Sequence, residues 1–206
     1  MEALKIVPRW YIRYKGVNSF FMGLTVGAIF TIYAVLDPSI FSLGGVLLAI
    51  GMLVVAKYYE KILNLRTFFK ISLFVELVML VLVLWYLVLP YGITTALFIY
   101  AGYQLTFMFG SYLVRAETLF LNRKQILSWL DMAKQAGYLA GMLVSWLFYK
   151  ALIWIWGIEE HTRQVYHLHW ILLVTELVII WLLLKSFQTR KRRSDVAIFA
   201  TSSRKR

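Results

Sequence analysis

Residues 115–125 read RAETLFLNRKQ and residues 126–149 read ILSWLDMAKQAGYLAGMLVSWLFY, a short charged connection followed by a long apolar segment. A helix that crosses the hydrocarbon layer of a membrane needs about 20 such residues. Gly137 and Gly141 lie four positions apart, on one helix face, where small residues let a neighbouring helix approach. The stretch therefore predicts a membrane-spanning helix that packs closely against another helix, with Arg123 in the connection before it.

The composition of the chain predicts the same class of protein. Hydrophobic residues make up 61% of the 206 residues and charged residues only 16%, too few to cover the surface of a soluble domain. Cysteine is absent from the sequence, which excludes thiol nucleophiles, cysteine metal ligands and disulfides. We find no motif of a hydrolase, a nucleotide-binding enzyme or a zinc enzyme. We therefore expect no enzymatic activity, no cofactor and no metal site.

Six apolar runs are long enough to span a membrane as helices, which predicts an all-α, six-helix bundle in the lipid bilayer. The predicted helices cover about residues 17–36, 40–59, 71–89, 93–114, 126–156 and 168–185. Residues 1–16 form an interfacial segment, residues 17–185 the membrane domain and residues 186–206 a basic tail. All Lys and Arg residues except Lys150 and Arg163 lie beside helix ends on one side. The positive-inside rule then places both termini in the cytoplasm.

The same distribution of cations accounts for the net charge of +12, which therefore does not indicate a nucleic-acid partner. We expect a protein of the bacterial cytoplasmic membrane.

The connection and the glycine-bearing helix resemble the fourth and fifth helices of the major facilitator superfamily. In that family a loop arginine precedes a GxxxG helix at the distances seen for Arg123. Residues 56–61, AKYYEK, lie where the family has its cytoplasmic gating motif. Glu60 and Lys61 match its acid–base pair, whereas Ala56 and Leu63 stand where the motif has glycines. The resemblance implies one half of a two-half transporter, with the first and fourth helices lining a central cavity.

Two short sequences suggest an internal repeat: residues 75–78 read VELV in the third predicted helix, and residues 175–178 read TELV in the sixth. These two helices cross the membrane in opposite directions, so a duplication would give the inverted three-plus-three arrangement. The alternative is that two apolar sequences resemble each other by chance. Because carboxylates are costly in hydrocarbon, Glu176 and Glu76 are candidates for proton coupling. Alternatively they tie helices together, with Glu76 extending toward Lys70 or Arg115.

Polar and aromatic side chains on the two cavity-lining helices are the candidates for solute contact. On the fourth predicted helix, Tyr100, Gln104, Phe107 and Ser111 recur at helical spacing, with Tyr103 adjacent, and the first helix contributes Thr25 and Tyr33. Such side chains also join helices without touching a ligand, and both readings stay open.

Charged residues at the cytoplasmic ends of the helices are candidates for a gate. They are Glu60, Lys61, Arg66, Arg115, Glu117, Arg123 and Asp131. They could form an ion-pair network that differs between two access states, or ordinary surface salt bridges of little energetic weight. Asp131 and Lys134 are spaced for a local pair.

The predicted function is therefore a half-size secondary transporter subunit that moves a small solute by alternating access. It would act as a homodimer or with a second six-helix membrane chain. The alternative is a non-transporting accessory or scaffold subunit of a larger membrane complex.

Overall fold

The computed structural model describes residues 3–190, which form eight helices and two short strands. In chain order the elements are β1 (Ala3–Ile6), α1 (Pro8–Tyr33), α2 (Pro38–Lys57), α3 (Tyr59–Ile62), α4 (Leu65–Val88), α5 (Ile93–Met108), α6 (Gly110–Phe120), α7 (Lys124–Trp156), α8 (His161–Ser186) and β2 (Phe187–Arg190). Between residues 3 and 190, six helical segments are long and apolar enough to cross a membrane: α1, α2, α4, α5 with α6, α7 and α8. This confirms the predicted six-helix membrane protein.

Helices α2 and α4 begin at side-chain caps, and α7 ends at a glycine. The carboxylate of Asp37 accepts a hydrogen bond from the Ser39 backbone N–H at 2.8 Å and caps α2. The Asn64 side chain caps α4 in the same way, accepting from the Thr67 N–H at 2.9 Å. Gly157 ends α7 with a φ of 63°, a left-handed conformation that favours glycine.

Several helices differ in extent from the prediction. Helix α1 begins at Pro8, inside the segment predicted to be interfacial, because proline is well suited to the first helical turn. Helix α4 begins six residues early, after its Asn64 cap, so Glu76 lies at the centre of the helix and not near its end. The fourth predicted helix is divided at Phe109, which separates α5 from α6.

Two short strands accompany the predicted helices. β1 and β2 pair antiparallel, with Ile6 opposite Phe187, and the pair extends into α1 through a 2.9 Å bond from the Val7 N–H to the Ser186 carbonyl. The Phe187 ring packs against Phe68 and Phe69, with ring centroids 5.8 and 4.9 Å apart. The strands therefore join the two ends of the described chain on one side of the bundle. We call this pair of strands the terminal clasp.

Helix α1 is the central helix of the bundle and packs most extensively against α7. Gly16 and Gly23 on α1 face Gly137 and Gly141 on α7, and a Cβ atom built at Gly141 would lie 3.0 Å from the Gly23 Cα. The Ser145 hydroxyl adds a 3.2 Å bond to the Leu24 carbonyl. The remaining main contacts join α1 to α8, α4 to α5 and α8, and α2 to α5.

Candidate functional site

Glu76 on α4 lies in the interior of the bundle, with 2% of its surface exposed. The Tyr14 hydroxyl donates a hydrogen bond to its carboxylate, and the Asn18 amide donates to both carboxylate oxygens at 3.2 Å. Both donors belong to α1. Glu76 therefore reaches neither Lys70 nor Arg115, because the centre of α4 faces α1 and not the charged end of the bundle. Several hydrogen bonds to one carboxylate stabilise its charged form.

Glu176 on α8 is fully buried, and its environment differs from that of Glu76. Among residues 3–190, no hydrogen-bond partner contacts either of its carboxyl oxygens. Glu76, Tyr14 and Tyr103 lie within electrostatic range of it, on α4, α1 and α5. A charged carboxylate without a hydrogen-bond partner in an apolar interior is very costly. The two glutamates therefore differ in their surroundings: Glu76 accepts hydrogen bonds from α1, and Glu176 has no such donor among residues 3–190.

A second charged cluster lies nearer the terminal clasp, around Glu117 on α6. The Glu117 carboxylate contacts Lys134 on α7, lies 3.6 Å from the Lys15 amine on α1 and accepts a 3.0 Å hydrogen bond from Tyr11. Lys134 in turn lies 3.6 Å from Asp131, whose side chain is mostly exposed. One buried carboxylate therefore joins three helices at the end of the bundle that carries the clasp. We call these five residues the Glu117 cluster.

The other predicted gate residues lie outside this cluster. The Arg115 guanidinium lies 5.6 Å from the centre of the Tyr59 ring, and the Lys61 amine 5.8 Å from that of Tyr58. Within the described part of the chain, Glu60, Arg66 and Arg123 form no ion pair. The structure therefore brings together Glu117 and Asp131 from the predicted set, and Lys134 extends its predicted local pair with Asp131 to Glu117.

The predicted solute-contact residues separate into different environments. Thr25 and Tyr103 are buried and line an internal cavity of about 20 Å³ between α1, α4, α5 and α8. Tyr100 instead packs against Tyr33 and donates a 3.2 Å hydrogen bond to the Phe41 carbonyl. The two tyrosines of α5 thus face different neighbours, Tyr103 the bundle interior and Tyr100 helix α2.

The remaining residues of the predicted polar stripe lie in different places, although Gln104 lines the same groove as Tyr100. Gln104 lines an apolar groove between α2 and α5, and in the described structure its side-chain oxygen has no hydrogen-bond partner. Phe107 is 45% exposed. Ser111 belongs to α6, beyond the break at Phe109, where glycine at position 110 weakens helix formation.

Searches against protein-family models, curated proteins and solved structures give no match for this chain.

Three residues of α1 that contact the buried acids, Tyr11, Tyr14 and Lys15, were not predicted to do so, whereas Asn18 was predicted to lie on a polar face of this helix. Tyr11, Tyr14, Lys15 and Asn18 recur at spacings of three, one and three, and thus occupy one helix face. That spacing is a detectable signal, because aromatic and polar residues on one face of a membrane helix point to buried polar partners. Because residues 1–16 were predicted to be interfacial, this helical spacing was not used.

Proposed function

We propose that this chain is a six-helix carrier subunit that couples the movement of a small solute to protons through Glu76 and Glu176. The buried glutamate pair is the observation that carries the proposal. A coupling site must hold a proton in one state and release it in another, and buried carboxyls serve as proton relays in membrane carriers. Glu76 has donors that stabilise its charge, whereas Glu176 has none. The α1 donors can therefore stabilise a charge on the pair when the proton leaves.

The pattern of helix contacts supports the inverted repeat, and with it the carrier architecture that the sequence resembles. A three-plus-three repeat exchanges α1 with α5, α2 with α7, and α4 with α8. Under this exchange the contact between α1 and α7 corresponds to the contact between α2 and α5. The contact between α1 and α8 corresponds to that between α4 and α5, and the contact between α4 and α8 corresponds to itself. These pairs are the main helix contacts of the bundle. Glu76 and Glu176 then occupy matching positions on the two helices that the repeat relates.

The size of the internal cavity supports a carrier built from two chains. At about 20 Å³ it is too small for any organic solute. We propose that a second copy, or a second six-helix chain, supplies the other wall of a solute cavity. The cation distribution supports an orientation with the clasp in the cytoplasm, and we propose the bacterial cytoplasmic membrane as its location.

The proposal is tested with the purified chain in proteoliposomes under a pH gradient, offered labelled amino acids, sugars, nucleosides and carboxylic acids. We expect one class to accumulate, with accumulation abolished by a protonophore. Glu176→Gln should lose accumulation but keep exchange of internal for external solute, because exchange needs no net proton movement. Glu159→Gln, which changes an exposed carboxylate in the α7–α8 connection, is the matched control and should behave as the original chain.

Unchanged accumulation in Glu176→Gln would refute coupling through this residue. The small interior cavity also favours the second candidate, an accessory subunit of a larger membrane complex. If the folded chain moved none of these solutes and co-purified in fixed ratio with an unrelated assembly, that second function would replace the first.

A further inference from the structure

The end of the bundle opposite the terminal clasp carries a pocket that the proposed function does not use. It has a volume of about 240 Å³ and lies among the ends of α1 and α4 and the starts of α5 and α8. Hydroxyl groups dominate its polar lining, which comes from Thr31, Tyr86, Tyr91, Thr95 and Thr162. We call it the outer pocket. The hydroxyl groups lie among apolar residues, Ile32, Val35, Pro90 and Ala96, and their oxygens can accept hydrogen bonds from water.

The internal cavity lies deeper along the same path, and Ile32 lines both spaces. Its volume of about 20 Å³ accommodates about one water molecule, provided that polar groups hold it. Thr25, Tyr103 and His169 supply those groups. Tyr103 is also within electrostatic range of Glu176, which lies one helical turn beyond the cavity-lining Leu172 on α8. The cavity therefore lies between the outer pocket and the glutamate pair.

A stacked pair of rings separates the two spaces. Tyr86, which lines the outer pocket, stacks on His169, which lines the cavity, with centroids 3.8 Å apart and planes at 21°. The Nδ1 atom of His169 lies 2.8 Å from the Val165 carbonyl. Donation from Nδ1–H fixes the tautomer in which Nε2 is an acceptor, free to bind a water. His169 is then a positioning residue for water between the pocket and the glutamates.

The clasp end of the bundle is closed by comparison. Phe187 and Phe68 pack around Tyr11, and the Glu117 cluster ties α1, α6 and α7 together beside them. A proton from that side would have to pass the Glu117 carboxylate, already paired with two lysines, and then the Lys15 ammonium that faces Glu76, a cation that repels it.

We propose that Glu176 exchanges its proton with the side of the membrane opposite the terminal clasp, through the outer pocket and a water held by His169 in the internal cavity. This inference rests on the proposed function. In the release direction, the Glu176 O–H bond breaks, the cavity water accepts the proton and passes one of its own to water in the outer pocket. Uptake follows the reverse order, and no other reactant is needed. The titratable groups facing Glu176 are Tyr14, Glu76 and Tyr103, and Lys15 faces Glu76.

The test follows the infrared carbonyl absorption of the protonated Glu176 carboxyl, identified as the band that Glu176→Gln lacks. Proteoliposomes carry the full chain in one orientation, reported by a single cysteine introduced as Thr118→Cys in the otherwise cysteine-free sequence. The external solution is made alkaline within milliseconds. We expect prompt loss of the band when the outer pocket faces outward, and a delay until the internal pH changes when the clasp faces outward.

Variants of His169 test the path itself. His169→Phe keeps a ring to stack on Tyr86 but removes the water-binding nitrogen, and should slow the band change roughly tenfold or more without changing its final amplitude. His169→Gln restores a polar group and should recover part of the rate. His167→Phe, at an exposed position on the same helix, should leave it unchanged.

The outcomes distinguish the proposed proton route from the proposed coupling through Glu176. A prompt response with the clasp outward, or unchanged rates in both His169 variants, would overturn this route while leaving Glu176 as the coupling residue. If the original chain and Glu176→Gln showed the same carbonyl absorption at every pH, Glu176 would not titrate, and the proposed coupling would fail with the route.

Discussion

The close glycine contact between α1 and α7 predicts that Gly141→Ala destabilises the bundle. In Gly141→Ala the new methyl group would contact the Phe20 carbonyl oxygen and lie 3.0 Å from both the Gly23 Cα and the Leu24 backbone nitrogen. These are backbone atoms of a helix and cannot move aside as a side chain can. The two helices must therefore separate, which loosens the most extensive contact in the protein.

The size of the effect follows from comparison with other glycines in helices. Gly45 on α2 has open space around it, so Gly45→Ala changes only helix propensity, a gain of up to about 1 kcal/mol. Gly141→Ala gains the same helix propensity. The difference in free energy of unfolding between Gly45→Ala and Gly141→Ala is therefore the cost of overpacking, about 1–3 kcal/mol. The stability of Gly51→Ala should lie between those of the other two variants, because its new methyl group contacts the flexible end of the Met108 side chain.

The measurement is the free energy of unfolding in mixed detergent micelles, followed by helical circular dichroism and by tryptophan fluorescence. We expect stability to decrease in the order Gly45→Ala, Gly51→Ala, Gly141→Ala. If Gly141→Ala proved as stable as Gly45→Ala, the backbones would not be in the close contact described, and the reasoning would be refuted.

Three further predictions concern the charged groups. Glu117→Ala leaves two lysines without their buried anion and should lower the free energy of unfolding by about 3 kcal/mol, whereas Lys134→Ala, which leaves Lys15 in place, should lower it less. Tyr14→Phe removes a donor to Glu76 and should cost about 1–3 kcal/mol in the same assay, and equal stability would contradict the bond. Hydrogen bonds from Ser39 lower the pKa of the Asp37 carboxyl, so its stabilising effect is complete above its ordinary pKa of about 3.9 and is lost as the pH falls through the lowered value. Asp37→Ala should remove this pH dependence from the thermal unfolding of the chain.

The six helices could be predicted because hydrocarbon thickness sets a length that apolar runs must reach. Helix ends were less predictable where polar residues continue a helix beyond the apolar run. The Asn64 cap lengthens α4, and Pro8 starts α1 among basic residues. The terminal clasp was not foreseen, since four residues at each end carry no pattern that reveals a partner more than 180 positions away.

The candidate site was predictable only in part. Glu76 and Glu176 stood out because acids are rare in apolar segments, but their different surroundings depend on which helix faces each one. The stripe from Tyr100 to Ser111 assumed one straight helix, and the break at Phe109 divides it. Glu117 could be named as a gate candidate, yet its partner Lys15 lies on α1, far earlier in the chain, while Lys134 lies on the following helix, α7.

The central position of α1 has a consequence for how the chain is made. A ribosome delivers α1 to the membrane well before its principal neighbours, α7 and α8. Until then the glycine face of α1 has no α7 to cover it, although Tyr14 and Asn18 can already meet Glu76 on α4. Nascent chains halted before α7 should therefore bind the insertion machinery or a chaperone, and release should coincide with synthesis of β2, which closes the clasp.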